Sequence, residues 1–340
     1  MFRHTVFLAV PAELRTAHSI VLMPLEWHMF GKKLVREMIG RSAENATDRR
    51  RFLQSAGAVG LGVVGGGMLS GITPAAAADE ASAGAAAAPS DGAVLNFALN
   101  LEYLEAEFYL HAVNGTGLAN NFITGKGTLG GVTGGRKVTF ETPAVKQYAQ
   151  EIANDERAHV NFLRGALGSA AVARPAINIR DSFTAAARAA GLIGSTETFD
   201  PYANENNFLL AAFLFEDVGV TAYKGAAPLI HNKTYLEAAA GILAVEAYHA
   251  ATIRTSLFEK GLTDEVQKLT AARNSLDGPA NDEQGLILND RANIVPTDKS
   301  GVAFSRTPGR VLNIVYLNPG KVSRGGFYPK GVNGDVRVSG

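Results

Sequence analysis

The chain has 340 residues, 46% of them hydrophobic and 8% aromatic, and its formal net charge is zero. That is enough chain for one large domain or two smaller ones, and a balanced charge excludes the basic footprint of a nucleic-acid surface or a polybasic membrane contact. With no cysteines at all, disulfides, thiolate metal sites, haem attachment and cysteine nucleophiles are excluded too, so any metal must be held by oxygen and imidazole ligands.

In chain order, residues 1–46 read as an N-terminal extension. Their apolar stretch "FLAVPAELRTAHSIVLMPLEWHMF" is broken by Pro11 and Pro24 and carries Glu13, Arg15 and Glu26, a poor membrane span, and Met38 offers a later start. Residues 47–78 follow the order of an export signal. Arg49, Arg50, Phe52 and Leu53 fit the twin-arginine pattern, a Gly-rich, mildly apolar stretch runs from Ser55 to Ser70, and Ala76 and Ala78 offer a cleavage site. The alternative is a Gly/Ala-rich linker or a short anchor. The expected route is the twin-arginine translocation machinery, to the periplasm or another exported location, with the protein already folded and metal inserted beforehand. The exported part would be mildly acidic with no stable membrane span. Residues 79–90, "DEASAGAAAAPS", are a low-complexity linker with nothing to bury.

Four long helices are predicted over residues 91–260. The first starts at Asp91 as N-cap and stops at Asn114-Gly115; the second opens on Thr142-Pro143 and closes at Gly168; the third opens on Asp200-Pro201 and runs to Pro228; the fourth spans Asn232 to Gly261. At 1.5 Å per residue each is roughly 35–42 Å long, and matched lengths argue for an all-α four-helix bundle with long crossover segments. The Gly-rich stretch 114–136 reads as a flexible loop, and residues 181–192 as a short helix in the second crossover. A joint of a few residues makes the third and fourth helices antiparallel neighbours. Residues 261–340 read as a C-terminal helix and an irregular tail with a little β: a strand over 310–317, "RVLNIVYL", and a second near "GDVRVSG".

Glu102, Glu156, Glu216 and Glu246 stand near the midpoints of the four helices, so antiparallel packing brings them to one level. His159 and His249 share a face with Glu156 and Glu246 at i,i+3 spacing. Burying four carboxylates uncompensated would cost many kcal/mol, whereas two divalent metals would neutralise them. An internal repeat supports this. A displacement of 114 residues superposes Glu102 on Glu216 and Tyr109 on Tyr223, and one of 90 residues superposes Glu156, His159, Arg164 and Leu167 on Glu246, His249, Arg254 and Leu257. One Glu-x-x-His is an ordinary solvated helix face; two copies at repeat-equivalent positions read as a ligand set. The repeat also selects Glu216 over the adjacent Asp217, and Glu102 over Glu105, which is the reserve candidate. Tyr109 and Tyr223 are either hydrogen-bond donors to the carboxylates or ordinary core tyrosines. Arg164 and Arg254 read as structural ion-pair partners.

Through "LNFALNLEYLEAEFY", "NDERAHVNFLRGALG" and "GVAFSRTPGRVLNIVYLN", the chain resembles the ferritin-like superfamily over residues 91–260, and more narrowly its desiccation-related branch. The resemblance implies a ferritin-like bundle, a Glu on each of two helices with Glu-x-x-His on the other two, and a link to stress without a settled reaction. The donor set suits two ions of iron or manganese, with zinc also open. Three functions follow as expectations. One is an exported di-iron or di-manganese oxidoreductase, ferroxidase-like or catalase-like, acting on a small oxidant or a metal ion. The second is a structural stress-associated bundle with a vestigial site. The third is iron storage, against which the long loops and tail argue. A homo-oligomer is open in each.

Overall fold

The computed structural model describes residues 88–278 and 282–340, which hold seven α-helices, three single 3-10 turns and four two-residue strands joined by irregular segments. Residues 1–46, the signal with Arg49, Arg50, Phe52 and Leu53, and most of the 79–90 linker lie outside the described residues. The helices are α1 (Asp91–Asn114), α2 (Pro143–Leu167), α3 (Asp181–Ala189), α4 (Glu205–Ala226), α5 (Lys233–Glu259), α6 (Thr263–Leu276) and α7 (Pro308–Val315).

Local chemistry sets the helix ends. Ser90, one residue before the expected Asp91, caps α1 by accepting the Ala93 N–H at 3.2 Å, and Gly115 at φ 81° closes it in the left-handed region glycine tolerates. Asp91 instead accepts the N–H groups of His231 (2.8 Å) and Asn232 (2.9 Å), tying the α4–α5 joint to the start of α1. Glu205, the first residue of α4, accepts the N–H groups of Glu141 (2.9 Å) and Thr142 (2.8 Å) and so fixes the start of α2. The expected Asp200-Pro201 start of α4 is a turn: Asp200 accepts the Tyr202 N–H at 2.9 Å on its side chain and the Ala203 N–H at 3.2 Å on its carbonyl, and Asn204, itself extended, caps the helix by accepting the Asn207 N–H at 2.8 Å.

α1 and α2 form one closely packed antiparallel pair, α4 and α5 the other. The antiparallel sense of the first shows in Asn96, early in α1, which bonds Ala170 O and Val172 N just past the end of α2. α1 and α4 are buried on nearly every side, while α2 and α5 bury a single stripe. Between α1 and α4 Phe108 stacks on Phe208, with centroids 5.5 Å apart, and meets Phe215 edge-on at 5.5 Å. Phe183 of α3 and Phe327 of the tail extend this cluster outwards.

The two crossovers lie on each other. β1 (Val132–Thr133) pairs parallel with β2 (Ile177–Asn178), and Lys126 bridges to Val172. The Gly-rich loop, expected to be flexible, is thus backbone-paired with the second crossover between Ile123 and Thr133. β3 (Ile287–Leu288) and β4 (Arg291–Ala292) form a hairpin whose turn residues, Asn289 and Asp290, both take positive φ.

The tail differs most from expectation. Residues 308–315 are helix α7 rather than a strand, because Thr307 accepts the Arg310 N–H at 3.3 Å with Pro308 in the first turn, and Val311, Leu312, Ile314 and Val315 then make a buried helical stripe. Residues 334–340 form no strand. Fully buried Asn100 of α1 holds the tail, bonding Asn333 O at 2.8 Å and Asn333 N at 3.0 Å while its own carbonyl accepts the Tyr328 hydroxyl at 2.6 Å. Three buried arginines hold it to α4: Asp217 accepts from Arg254 and Arg273, each at 2.8 Å, Glu283 pairs with Arg273 (2.7 Å) and Arg306, and Asp277 accepts from Arg306 at 2.5 Å. Arg164, expected to ion-pair like Arg254, bonds neutral groups instead, the Tyr103 hydroxyl and Thr124 O, both at 2.6 Å. Among the described residues no helix is long and apolar enough to cross a membrane.

Candidate metal centre

The midpoints of α1, α2, α4 and α5 meet at one level, where the packing buries Glu102, Glu156, Glu216 and Glu246 almost completely. His159 and His249 join them, 8% and 5% exposed. Their donor atoms fall into two overlapping groups. Glu102, Glu156, His159 and Glu246 form one, and Glu156, Glu216, Glu246 and His249 the other, with the atoms of each group all within 4.8 Å of one another. His159 Nδ1 lies 3.2 Å from Glu102, 3.7 Å from Glu156 and 3.6 Å from Glu246. His249 Nδ1 lies 3.1 Å from Glu156 and 3.5 Å from Glu216. Glu156 and Glu246 therefore belong to both positions, and the pseudo-twofold repeat of the sequence becomes a geometric one.

Both oxygens of Glu156, both of Glu246, Glu216 Oε2 and His249 Nδ1 are buried with no hydrogen-bond partner. Buried polar atoms are nearly always paired, so six orphans facing one space fit a pair of cations that would take all of them as ligands. Two divalent ions would also cancel the four carboxylate charges.

The tyrosines cross between halves: Tyr109 of α1 donates to Glu216 of α4, and Tyr223 of α4 donates to Glu102 of α1. Burial, reinforced by the neighbouring carboxylates, raises both phenols well above their ordinary value, so each stays a donor. Asp155 escaped the sequence reading. Its Oδ2 lies 3.2 Å from His249 Nε2 and accepts that proton, which leaves Nδ1 turned to the centre and available to a cation. The contact runs between α2 and α5, so only the fold reveals it. The repeat places Val245 at the equivalent position for His159, so the two imidazoles are held differently. Asp217 points away from the centre to its arginines, and Glu105, also buried, stands beside the centre outside both groups.

Without metal, protons hold this cluster together. Burial, only partly countered by His159, pushes Glu102 up to about 7. Burial and the surrounding carboxylates push Glu246 well up, and burial lifts Glu216 against the pull of His249. Burial works against charge on His159, yet Glu102 and Glu156 hold it at about 10; His249 is raised in the same way by Glu216, Asp155 and Glu156. Glu156 goes down, since the two histidines outweigh its burial. Groups raised on folding stabilise fully below their unfolded values and lose that contribution as pH climbs through the folded ones. The metal-free protein should therefore melt at progressively lower temperature from about pH 5 to about pH 10, through the windows of Glu102 and then His159. Calorimetry with a chelator present measures this, and saturating metal, which displaces the protons, should remove most of the slope.

Residues 90–259 match the family described as "Ferritin-like domain". The chain is similar to the desiccation-related protein PCC13-62 of Craterostigma plantagineum, 32% identical over 72% of this chain and 83% of the relative. It is also similar to the ferritin-like catalase Nec2 of Nesocodon mauritianus, 27% identical over the same shares. No solved structure matches the chain.

Proposed function

Because the chain belongs to the ferritin-like family, we propose that it is an exported, two-metal protein that disproportionates hydrogen peroxide and limits oxidative damage during stress such as desiccation. The observation that carries this reading is the pair of overlapping donor groups, with six buried atoms left unpaired toward a shared space. A vestigial structural bundle would have no reason to keep such costly atoms unsatisfied. Two adjacent manganese or iron ions held there would supply a two-electron couple, so that one peroxide is oxidised to dioxygen while a second is reduced to two waters, with no external oxidant or reductant.

The chain's own groups do the rest. Tyr109 and Tyr223 pin the outer carboxylates from opposite helices, Asp155 sets the tautomer of His249, and the aromatic cluster of α1 and α4 keeps bulk water away. The name of the Nesocodon relative, a ferritin-like catalase, supports catalatic chemistry, and that of the Craterostigma relative supports the link to desiccation. Export rests on Arg49, Arg50, Phe52 and Leu53.

The test is elemental analysis of protein purified from its native compartment, followed by an oxygen electrode with added peroxide. Two iron or manganese ions per chain and one dioxygen per two peroxides are expected. Fully helical protein without metal, or loaded protein that releases no dioxygen, would refute the proposal.

A further inference from the structure

Two small apolar cavities lie in series between the surface and the metal centre. The outer, about 50 Å³, sits among α3, α6 and α7, with exposed Ala189 at its rim. The inner, about 20 Å³, lies between α1 and α4 and ends on Glu105 and Gly219. Leu214, Phe215 and Val315 line both and so form the wall that the two cavities share. No residue of α2 or α5, the helices that carry the histidines, lines either cavity.

The inner end is where the internal repeat breaks. The displacement that superposes Glu102 on Glu216 places Glu105 on Gly219. A Cβ at Gly219 would collide with Glu246 Oε2 and lie 3.5 Å from Glu105 Oε1, so no side chain stands between the inner cavity and a carboxylate shared by both donor groups. Glu105 is only 5% exposed and, among the described residues, has no hydrogen-bond or ion-pair partner. Glu102 and Glu216 each have a tyrosine. A buried carboxyl group left open beside a cavity is a seat for a polar guest.

We propose that these cavities are the path by which hydrogen peroxide reaches the centre, with Glu105 binding it at the inner end and Leu214, Phe215 and Val315 as the filter. This rests on the catalatic reading above. A cavity needs roughly 10–15 Å³ to take one water-sized molecule, so the inner one admits peroxide and rejects larger oxidants. Apolar walls disfavour a hydrated ferrous ion. Peroxide is neutral and offers two O–H donors to a carboxyl oxygen, whereas dioxygen offers none.

The test uses manganese-loaded exported protein, with metal content and circular dichroism as controls. Val315→Phe should lower kcat/KM for peroxide about tenfold or more with both metals retained, and Val315→Leu serves if the larger side chain prevents folding. Val315→Ala should keep peroxide turnover and admit tert-butyl hydroperoxide. Glu105→Leu should raise KM without loss of metal. Crystals pressurised with xenon should show it in the inner cavity of the wild type but not of Val315→Phe. Wild-type kcat/KM in a Val315→Phe protein that excludes xenon overturns the path, and so does a wild-type inner cavity that takes no xenon. Loss of a metal from Glu105→Leu would make Glu105 a ligand and overturn its role as the peroxide seat. Absence of dioxygen release from wild-type protein carrying two metals sinks the catalatic reading, and the xenon result still judges the path.

Discussion

Glu156→Gln should empty both metal positions at once, whereas Glu102→Gln should empty one. The difference follows from membership: Glu156 and Glu246 contribute to both donor groups, Glu102 only to the group with His159, and Glu216 only to the group with His249. Glutamine keeps nearly the size of glutamate but removes a charge, so the loss reads as ligation rather than as a cavity. Where free metal is held at a thousandfold its dissociation constant, each bound ion adds about 4 kcal/mol to the folded state. Glu156→Gln should forfeit both increments and Glu102→Gln one. Inductively coupled plasma mass spectrometry gives the stoichiometry, and denaturant titration with and without chelator gives the energy. A Glu156→Gln protein that keeps one metal would show that the positions share no essential carboxylate. Glu246→Gln should behave like Glu156→Gln, because the repeat relates them.

This cluster of buried carboxylates and imidazoles was legible in the sequence because a repeat encodes it. Positions 114 and 90 residues apart carry the same chemistry, and helix midpoints convert sequence position into depth in the bundle. The four long helices were legible from caps and length, although α4 begins at Glu205, after a turn that only looks like a start. What stayed hidden depends on contacts between distant segments. β1 and β2 pair across two crossovers, a non-local parallel match that no local periodicity marks. Asp155 reaches His249 on another helix. The run "RVLNIVYL" has enough β-branched residues to read as a strand, and Thr307-Pro308, together with the α4 surface it covers, makes it a helix. The tail's arginine network was invisible because its acids, Asp217, Asp277 and Glu283, come from three separate segments.

The adjacent residues Glu216 and Asp217 should separate metal binding from stability. Successive helix positions point about 100° apart, so Glu216 faces the centre while Asp217 faces Arg254 and Arg273. Asp217→Ala leaves two guanidinium groups, at most 1% exposed, without their shared acceptor. Removing one partner of a buried ion pair costs about 3–5 kcal/mol, roughly a 10 °C drop in melting temperature for a domain of this size. The same loss loosens residues 282–340 from α4, so limited trypsin digestion should cut there first, while the still-folded fraction keeps two metals. Glu216→Gln should do the reverse. Burial already disfavours charge on Glu216 in the metal-free protein, so a neutral isostere there leaves chelated stability nearly unchanged while the metal on the His249 side is lost. Thermal melts in chelator, paired with metal analysis, read both axes for both variants. Equal destabilisation by the two, or metal loss from folded Asp217→Ala, would mean that the tail clamp and the metal centre are one cooperative unit rather than two faces of α4.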